Sequence, residues 1–410
     1  MFFRLNPESR LISGQKKGVL YDFLDNKVYN LSPEEKSVLE LAEKSTEIEE
    51  ICKKLGMPEA SVMDIFEKFR EKSLGEFYEN NPYIEPLRMK SPISSGAFYD
   101  SPPQLTNFFV ELNNSCHYNC SYCGKNRMKR IFGCIGCNVW DGQKKVVESD
   151  SLITVLDQAH MLGFGQIFLT GGNVLENLDR LSAVLNHCET LHFPTIFLTC
   201  HETHVTTDSV DFLNHYKGLT VFLNCDFPLS PKALKIADSL RGNLTLVPIV
   251  DVTDMSKEDV MKDIQNEHEK IQRKVGWQVD YCSADFTKDY CKIPLFGRER
   301  AANASLQFFE WCQEYHPCLG GILTVSSDGN VYVCRIMRDN PLGNVLNTNL
   351  SEIIRNKKKE THAFWNLTRD KITPCNSCEY RYSCMDCRAI EKDAYQTNLC
   401  AYDPHEGKWK

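Results

Sequence analysis

The 410-residue sequence contains no apolar run approaching the ~18–20 residues needed to span a bilayer. Its opening, MFFRLNPESR, has no signal-peptide core. A membrane is therefore not an expected partner, and a cytoplasmic location is expected. Internal repeats and low-complexity tracts are also missing, which excludes a solenoid or array. Positive charge is in deficit. The net charge of −8 makes nucleic acid an unexpected partner and favours solubility. At 42% hydrophobic and 25% charged residues, the composition is that of a globular chain. The length implies two or three domains.

Cysteine is abundant, with 19 residues. A large chain without a secretion signal does not use them for a disulfide framework. Cys52, Cys188, Cys200, Cys225, Cys282 and Cys291 are scattered, several in apolar strand-like runs where a thiol packs as a small hydrophobe. The other thirteen stand in groups at metal-ligand spacings. Thiolate-bound metal in a reducing compartment is the expectation.

Three regions follow from pattern. In residues 1–82, FFRL, RLIS, GVLYDFL and KVYNL are short β-like runs. A helix follows at LSPEEKSVLELA, with Ser32 as N-cap, Pro33 in the first turn and Glu35 closing a capping box. Two further helices are expected near 46–54 and 59–72, then a strand at GEFYE. Residues 83–104 are Pro-rich and read as a linker. Over residues 105–305 six strand-like segments alternate with amphipathic helices: NFFVELN, GQIFLTGG, PTIFLTC, LTVFLNCD, NLTLVPIVD and GWQVDYCSAD. That order predicts an α/β fold of parallel βα units, a partial (β/α)6 TIM-like barrel with its chemistry at the strand C-terminal ends. Residues 306–410 hold eight cysteines, Cys312 the first of them, and little regular pattern, as in a small domain held by metal.

The stretch NNSCHYNCSYCGK places Cys116, Cys120 and Cys123 at C-x3-C-x2-C just past the first of those strands. Three thiolates on one loop can hold three irons of a 4Fe–4S cluster and leave the fourth corner open. The alternative is a zinc knuckle completed by His117 or Cys134.

With an aromatic residue, Tyr122, before the third cysteine, this motif resembles the radical S-adenosylmethionine superfamily. The resemblance implies that S-adenosylmethionine chelates the open iron. One-electron cleavage then yields a 5′-deoxyadenosyl radical that abstracts hydrogen from carbon. It also implies cofactor contacts at the strand ends. LTGGN supplies Thr170, Gly171, Gly172 and Asn173, with Asn173 where the family usually has Glu. LNCDFP supplies Asn224 and Asp226 as ribose or substrate contacts, unless both merely cap the next helix.

Downstream, Cys318-x10-Gly329-x4-Cys334 and CNSCEYRYSCMDC resemble the SPASM domain of radical enzymes that modify peptides. The final pair, Cys384 and Cys387, is one residue closer than usual. By resemblance, Cys312, Cys318, Cys334 and Cys387 would hold one auxiliary 4Fe–4S cluster, and Cys375, Cys378, Cys384 and Cys400 a second. With the first loop, that makes three clusters. Cys134 and Cys137 in GCIGCNVW are left open as a redox pair, half a metal site, substrate contacts or idle thiols. The basic KNRMKR reads as a solvated edge.

The N-terminal order of strands and helices resembles the winged-helix RiPP recognition element, which grips the leader of a ribosomally made precursor peptide as an added strand. Val19, Tyr21, Phe23, Val28 and Tyr29 are the candidate edge. Acidic residues on the later helices oppose the DNA-binding alternative.

The joint implication is a radical maturase that cross-links a precursor peptide, with a thioether from Cys sulfur to carbon as the leading bond. An electron donor such as flavodoxin or ferredoxin would serve it. The competing readings are carbon–carbon cross-linking, peptide epimerisation with Cys134, Cys137 or Cys282 as hydrogen donor, and an iron–sulfur redox sensor. A sulfatase-activating enzyme is disfavoured, because Arg335 stands where that group has Asp. No catalytic side chain is assigned.

Overall fold

The computed structural model describes residues 1–89, 105–118, 120–123, 129–140, 146–271, 275–293, 296–297 and 303–410. The N-terminal unit contains β1 (Phe2–Leu5), β2 (Ser9–Ser13), β3 (Gly18–Asp22), β4 (Lys27–Leu31), α1 (Pro33–Glu43), α2 (Ile48–Leu55), α3 (Glu59–Arg70) and β5 (Gly75–Tyr78). The α1 capping box between Ser32 and Glu35 forms as the sequence predicts. β2, β3 and β4 make an antiparallel meander, and β1 leaves it to pair with β5. Phe3, Leu20, Leu39, Ile51 and Phe66 lie in the unit's own core.

The central sheet is mostly parallel. It contains β6 (Asn107–Glu111), β7 (Lys129–Arg130), β8 (Gln166–Thr170), β9 (Thr195–His201), β10 (Leu219–Asp226), β11 (Asn243–Asp251), β12 (Gly276–Trp277) and β13 (Asp280–Ser283). All six segments expected as strands lie in it, the last divided into β12 and β13 beside β11. Strands β6, β8, β9, β10 and β11 run parallel in that spatial order, β13 parallel beside β11, and β7 pairs antiparallel with β13. Intervening helices α4 (Ser149–Met161), α5 (Leu178–Thr190), α6 (Thr207–Leu213), α7 (Pro231–Ser239) and α8 (Lys257–Glu269) return the chain between strands, and α9 (Phe286–Asp289) follows β13. Crossovers of this kind bury both sheet faces, which explains the near-continuous apolar runs.

Side chains alternate faces along a strand, so pattern divides the sheet into layers. On one face Phe108, Ile167, Ile196 and Val221 join the helices in the main core. On the other, Phe109 stacks on Phe168 and Phe168 on Phe197, each at 4.4 Å, with Phe222 next to Phe197 at 5.2 Å. Two residues on, this same face carries Glu111, Thr170, Thr199 and Asn224, all buried. An aromatic floor thus underlies a polar layer at the strand C-terminal ends.

The C-terminal region is joined to that sheet. After α10 (Leu306–Glu314), β14 (Leu323–Val325) runs parallel beside β6, and β15 (Asn330–Tyr332) and β16 (Gly343–Asn344) extend the edge antiparallel. Helices α11 (Leu350–Asn356) and α12 (Lys358–Trp365) and a small hairpin, β17 (Tyr402–Asp403) with β18 (Lys408–Trp409), complete the chain. Gly329 turns the β14–β15 hairpin at φ 85°, a conformation that favours glycine.

The N-terminal unit docks on this region. Tyr21 and Phe23 meet Phe309 at 4.9 and 5.1 Å, and Val19, Tyr380 and Tyr402 share the cluster. Gln15 donates its backbone N–H to Ser377 at 2.8 Å, and Arg381 donates to the Ser13 carbonyl at 3.0 Å. This corrects one expectation. Val19, Tyr21 and Phe23 are not a peptide-gripping edge: Val19 and Tyr21 lie on β3, the middle strand of its meander, and Phe23 just past its end is covered by Phe309. Val28 and Tyr29 stand on β4, whose outer side pairs with no strand among the described residues. Of the linker, residues 83–89 are described. There Leu87 donates to the Pro7 carbonyl at 2.7 Å and Met89 to Glu310 at 3.0 Å. Residues 90–104 lie outside the described residues.

Candidate cysteine-rich active site

The Cys116–Cys123 loop leaves the C-terminal end of β6, and the end of β8 fits closely beneath it. Leu112 extends the pairing by donating to Thr170 at 2.8 Å. Asn113 accepts from the Gly172 N–H at 2.9 Å and donates to the Asn173 carbonyl at 2.6 Å. Asn173 also donates its N–H to Ser115 at 2.7 Å. A Cβ on Gly172 would lie 2.1 Å from the Ser115 carbonyl oxygen. One on Gly171, at φ 147°, would lie 2.7 Å from that of Asn113. The two glycines are therefore needed for backbone-to-backbone approach under the cysteine loop. The Gly171 carbonyl accepts from Asn138 at 2.7 Å, and the Asn173 amide oxygen accepts from Leu175 at 3.1 Å.

Within the loop, Cys123 donates its N–H to Cys120 at 3.2 Å. The Cys123 sulfur meets the Asn138 side chain at 3.1 Å and the Val139 N–H at 3.2 Å. Asn114 exchanges two hydrogen bonds with the Trp140 backbone, at 2.6 and 2.7 Å, and so pins the covering segment. Cys116 lies 3.2 Å from His204 Nε2. Burial and His201 hold the His204 imidazole down to about 4, so it is neutral at pH 7.

Tyr122, Asn224 and Asp226 are brought together, though not as independent contacts. Tyr122 donates to Asp226 at 2.6 Å and lies 2.9 Å from His201 Nε2. His201 and then Tyr122 hold the Asp226 carboxyl below its ordinary value. Asn224 accepts from Arg130 Nη2 at 2.6 Å, and Arg130 Nε pairs with Asp280 at 2.6 Å. Asp280 also accepts from the Phe132 N–H at 2.9 Å. Burial opposes the Arg130 charge most strongly, but Asp280 together with Cys137 and Tyr122 holds the guanidinium above its ordinary value. Neither Asn224 nor Asp226 caps the following helix; Ser230 does.

Arg130 is a second correction. It reads in sequence as part of a solvated basic edge, and it is buried at the centre of the polar layer. Residues 125–128 of that stretch lie outside the described residues. Glu111 was also missed. It accepts from Trp140 Nε1 at 2.9 Å and Arg335 Nε at 2.9 Å, and pairs with Arg338. Carboxylates inside the apolar runs FFVELN and WQVDYC were the available signal for Glu111 and Asp280. Glu176, also unforeseen, accepts from Ser115 at 2.6 Å and pairs with His117 at 3.1 Å beside Cys116. His117 is thereby engaged away from the three thiols.

The C-terminal thiols form two neighbourhoods. Burial pushes Cys318 well above its ordinary value, and Cys134, Cys387 and Cys334 add to it. Cys375 and Cys378 are likewise raised by burial, with Cys384 beside both, and Cys400 packs with Cys378 in one apolar cluster. Cys312 has Arg369, Cys384 and Asp386 as neighbours. Asp386 stands between the two sets, ion-paired to Arg369 at 2.5 Å and to Arg388, with His316 at 3.1 Å. Among the described residues no three Cys, His, Asp or Glu side chains converge as a single metal ion requires. A zinc would draw its sulfurs to ~2.3 Å of one point, whereas a cubane takes thiolates at separate irons. Each neighbourhood offers soft thiol donors from separate loops, a donor chemistry that suits iron–sulfur clusters.

Residues 317–379 match SPASM, an iron–sulfur cluster-binding domain. The match includes Cys318, Cys334, Cys375 and Cys378 and ends before the closely spaced Cys384 and Cys387. No curated protein matches the chain in sequence. Among solved structures, SuiB of Streptococcus suis bound to S-adenosylmethionine is similar at 13% identity, covering 97% of this chain and 100% of that one, with a TM-score of 0.48. SuiB bound to precursor peptide SuiA is similar at 14% identity, covering 98% and 100%, also at 0.48. Coproporphyrinogen III oxidase of Escherichia coli, a radical SAM enzyme, is similar over 47% of this chain and 46% of its own at 13% identity, with a TM-score of 0.30. The chain thus carries an iron–sulfur-binding SPASM segment at residues 317–379, beside a cysteine loop set at the end of a mostly parallel sheet.

Proposed function

We propose that this protein is a radical S-adenosylmethionine maturase that cross-links a ribosomally made precursor peptide, with a Cys-sulfur-to-carbon thioether as the leading bond. The observation carrying the reading is the Cys116, Cys120 and Cys123 loop seated on the Gly171–Gly172 turn, beside a SPASM segment. Those three thiols would hold a 4Fe–4S cluster with one iron left for S-adenosylmethionine. Bound there, the pair supplies one-electron cleavage of a sulfonium and hence hydrogen-atom abstraction from carbon. Asn173, Asp226 and Tyr122 offer oxygen atoms around that loop, and Glu176 adds a carboxylate beside Cys116. The buried Arg130–Asp280 pair holds Asn224 and the segment after the loop in place. The aromatic floor closes the site from below.

Thioether formation removes two hydrogens from the peptide, one as an atom and one as a proton with an electron left over. That electron needs an acceptor, which the two C-terminal thiol sets would hold as further clusters, three in all. An external donor such as flavodoxin or ferredoxin would restore the first. The leader would add as a strand along the outer edge of β4, near Val28 and Tyr29, where main-chain groups face no strand among the described residues. A cytoplasmic setting, with neither nucleic acid nor membrane as partner, completes the reading.

Anaerobically reconstituted protein should hold about twelve irons, three cubanes, and form 5′-deoxyadenosine on reduction. Peptide product should lose the mass of two hydrogens per cross-link. Absence of 5′-deoxyadenosine sinks the reading and leaves a redox sensor. Unchanged peptide mass with deuterium gained from heavy water replaces cross-linking with epimerisation. A two-hydrogen loss with every substrate thiol still alkylatable assigns a carbon–carbon bond.

A further inference from the structure

The GCIGC segment, residues 133–137, has no part in the site as read from motif spacing, yet it lies between the two halves of the chemistry. It follows β7 and forms a short 3-10 turn over Gly133–Ile135. The buried Arg335 guanidinium, next to Cys334, gathers this turn by its carbonyls. Nη1 donates to Gly133 at 3.1 Å, to Cys134 at 3.2 Å and to Gly136. Glu111 fixes the same arginine through Nε. Packing places the turn against the other members of one thiol set. Ile135 and Cys318 share the aromatic-floor cluster, while Ile131, Phe132 and Cys387 share another. A Cβ on Gly133 would stand 3.5 Å from Ile336, two residues beyond Cys334. The Cys134 thiol is accordingly half-buried beside Cys334, and Cys318 and Cys387 both count it among their neighbours. Cys137, at the other end of the turn, has Cys123 and Cys120 as neighbours instead.

We propose that Cys134 is a ligand of the first auxiliary cluster, completing a four-thiol set with Cys318, Cys334 and Cys387, while Cys312 packs beside Cys384 and is not required there. The proposal rests on the reading that these thiols hold an iron–sulfur cluster, and it reassigns one corner. It gives Arg335 a positioning role, since its guanidinium presents the Cys134 turn to Cys334. It also makes the C-x2-C segment a strap, with one thiol at the auxiliary set and the other against the Cys120–Cys123 loop. The two sites are then joined by a short stretch of backbone, residues 134–137, as well as by packing.

The test uses full-length protein, reconstituted anaerobically, with iron analysis and electron paramagnetic resonance as readouts. Cys134→Ala should lose up to about four irons, or show a three-iron signal, while Cys312→Ala keeps about twelve. Cys134→His should retain iron but shift the resonance of one cluster, which a thiol merely packed nearby would not do. Circular dichroism verifies folding, and the histidine variant decides if the alanine variant is unfolded. Wild-type iron and resonance in both Cys134 variants overturn the proposal, as does equal loss in Cys134→Ala and Cys312→Ala. Wild-type protein that takes up no auxiliary clusters defeats the functional reading itself and is distinguishable from either result.

Discussion

Replacing Asp280 with Ala removes the carboxylate that pairs with the buried Arg130 guanidinium. Asp280 is 0% exposed and Arg130 8%, so the pair is held at 2.6 Å away from solvent. Asn224 remains as a neutral acceptor at 2.6 Å, which satisfies one N–H but not the charge. Breaking a buried pair by deleting one partner costs about 3–5 kcal/mol, against about 0–1 for an exposed pair. The same substitution removes the acceptor of the Phe132 N–H. The loss should appear where the pair acts, in the segment that carries Cys134 and Cys137. Hydrogen exchange of residues 129–137 in the holoprotein, read by mass spectrometry, measures that local opening directly. At about 1.4 kcal/mol per factor of ten, exchange should accelerate by about two to three and a half powers of ten. Arg130→Met with Asp280→Leu should recover most of the protection, because no lone charge remains. Acceleration below about tenfold in Asp280→Ala, the range of a solvated bridge, would refute the claim that Arg130 anchors this layer.

Two further predictions address the cysteine loop and the docking of the N-terminal unit. Gly172→Ala puts a methyl against the Ser115 carbonyl, costing about 1–3 kcal/mol of overpacking. It should lower the iron held at Cys116, Cys120 and Cys123, while Gly165→Ala, whose Cβ meets nothing within 4 Å, should match wild type by iron analysis. Tyr21→Ala and Phe309→Ala each remove an aromatic from the docked face and should cost about 3–5 kcal/mol. Limited proteolysis should release the first unit faster in both. The double variant should lose less than the sum, because the two rings share one contact.

The sequence by itself determined the elements that depend on local pattern. Apolar runs with helices between them specify parallel strands, and Ser32, Pro33 and Glu35 specify a helix start, because periodicity and capping are short-range physics. The Cys116–Cys123 loop stands out in sequence for the same reason: its three thiols lie within eight positions. What only the tertiary structure decided is which distant groups share a site. Arg130 stands among basic neighbours in sequence, and burial against Asp280, 150 residues away, turns it into a central pair. Val19, Tyr21 and Phe23 have the alternation of a gripping strand, but pairing on both sides and cover from Phe309 take that role away. Resemblance groups Cys312 with Cys318, while folding brings Cys134 to Cys334 from 200 residues upstream, through the carbonyls that Arg335 holds. Spacing fixes which thiols meet when one loop supplies them. When they come from two halves of a chain, the packing that brings the halves together decides.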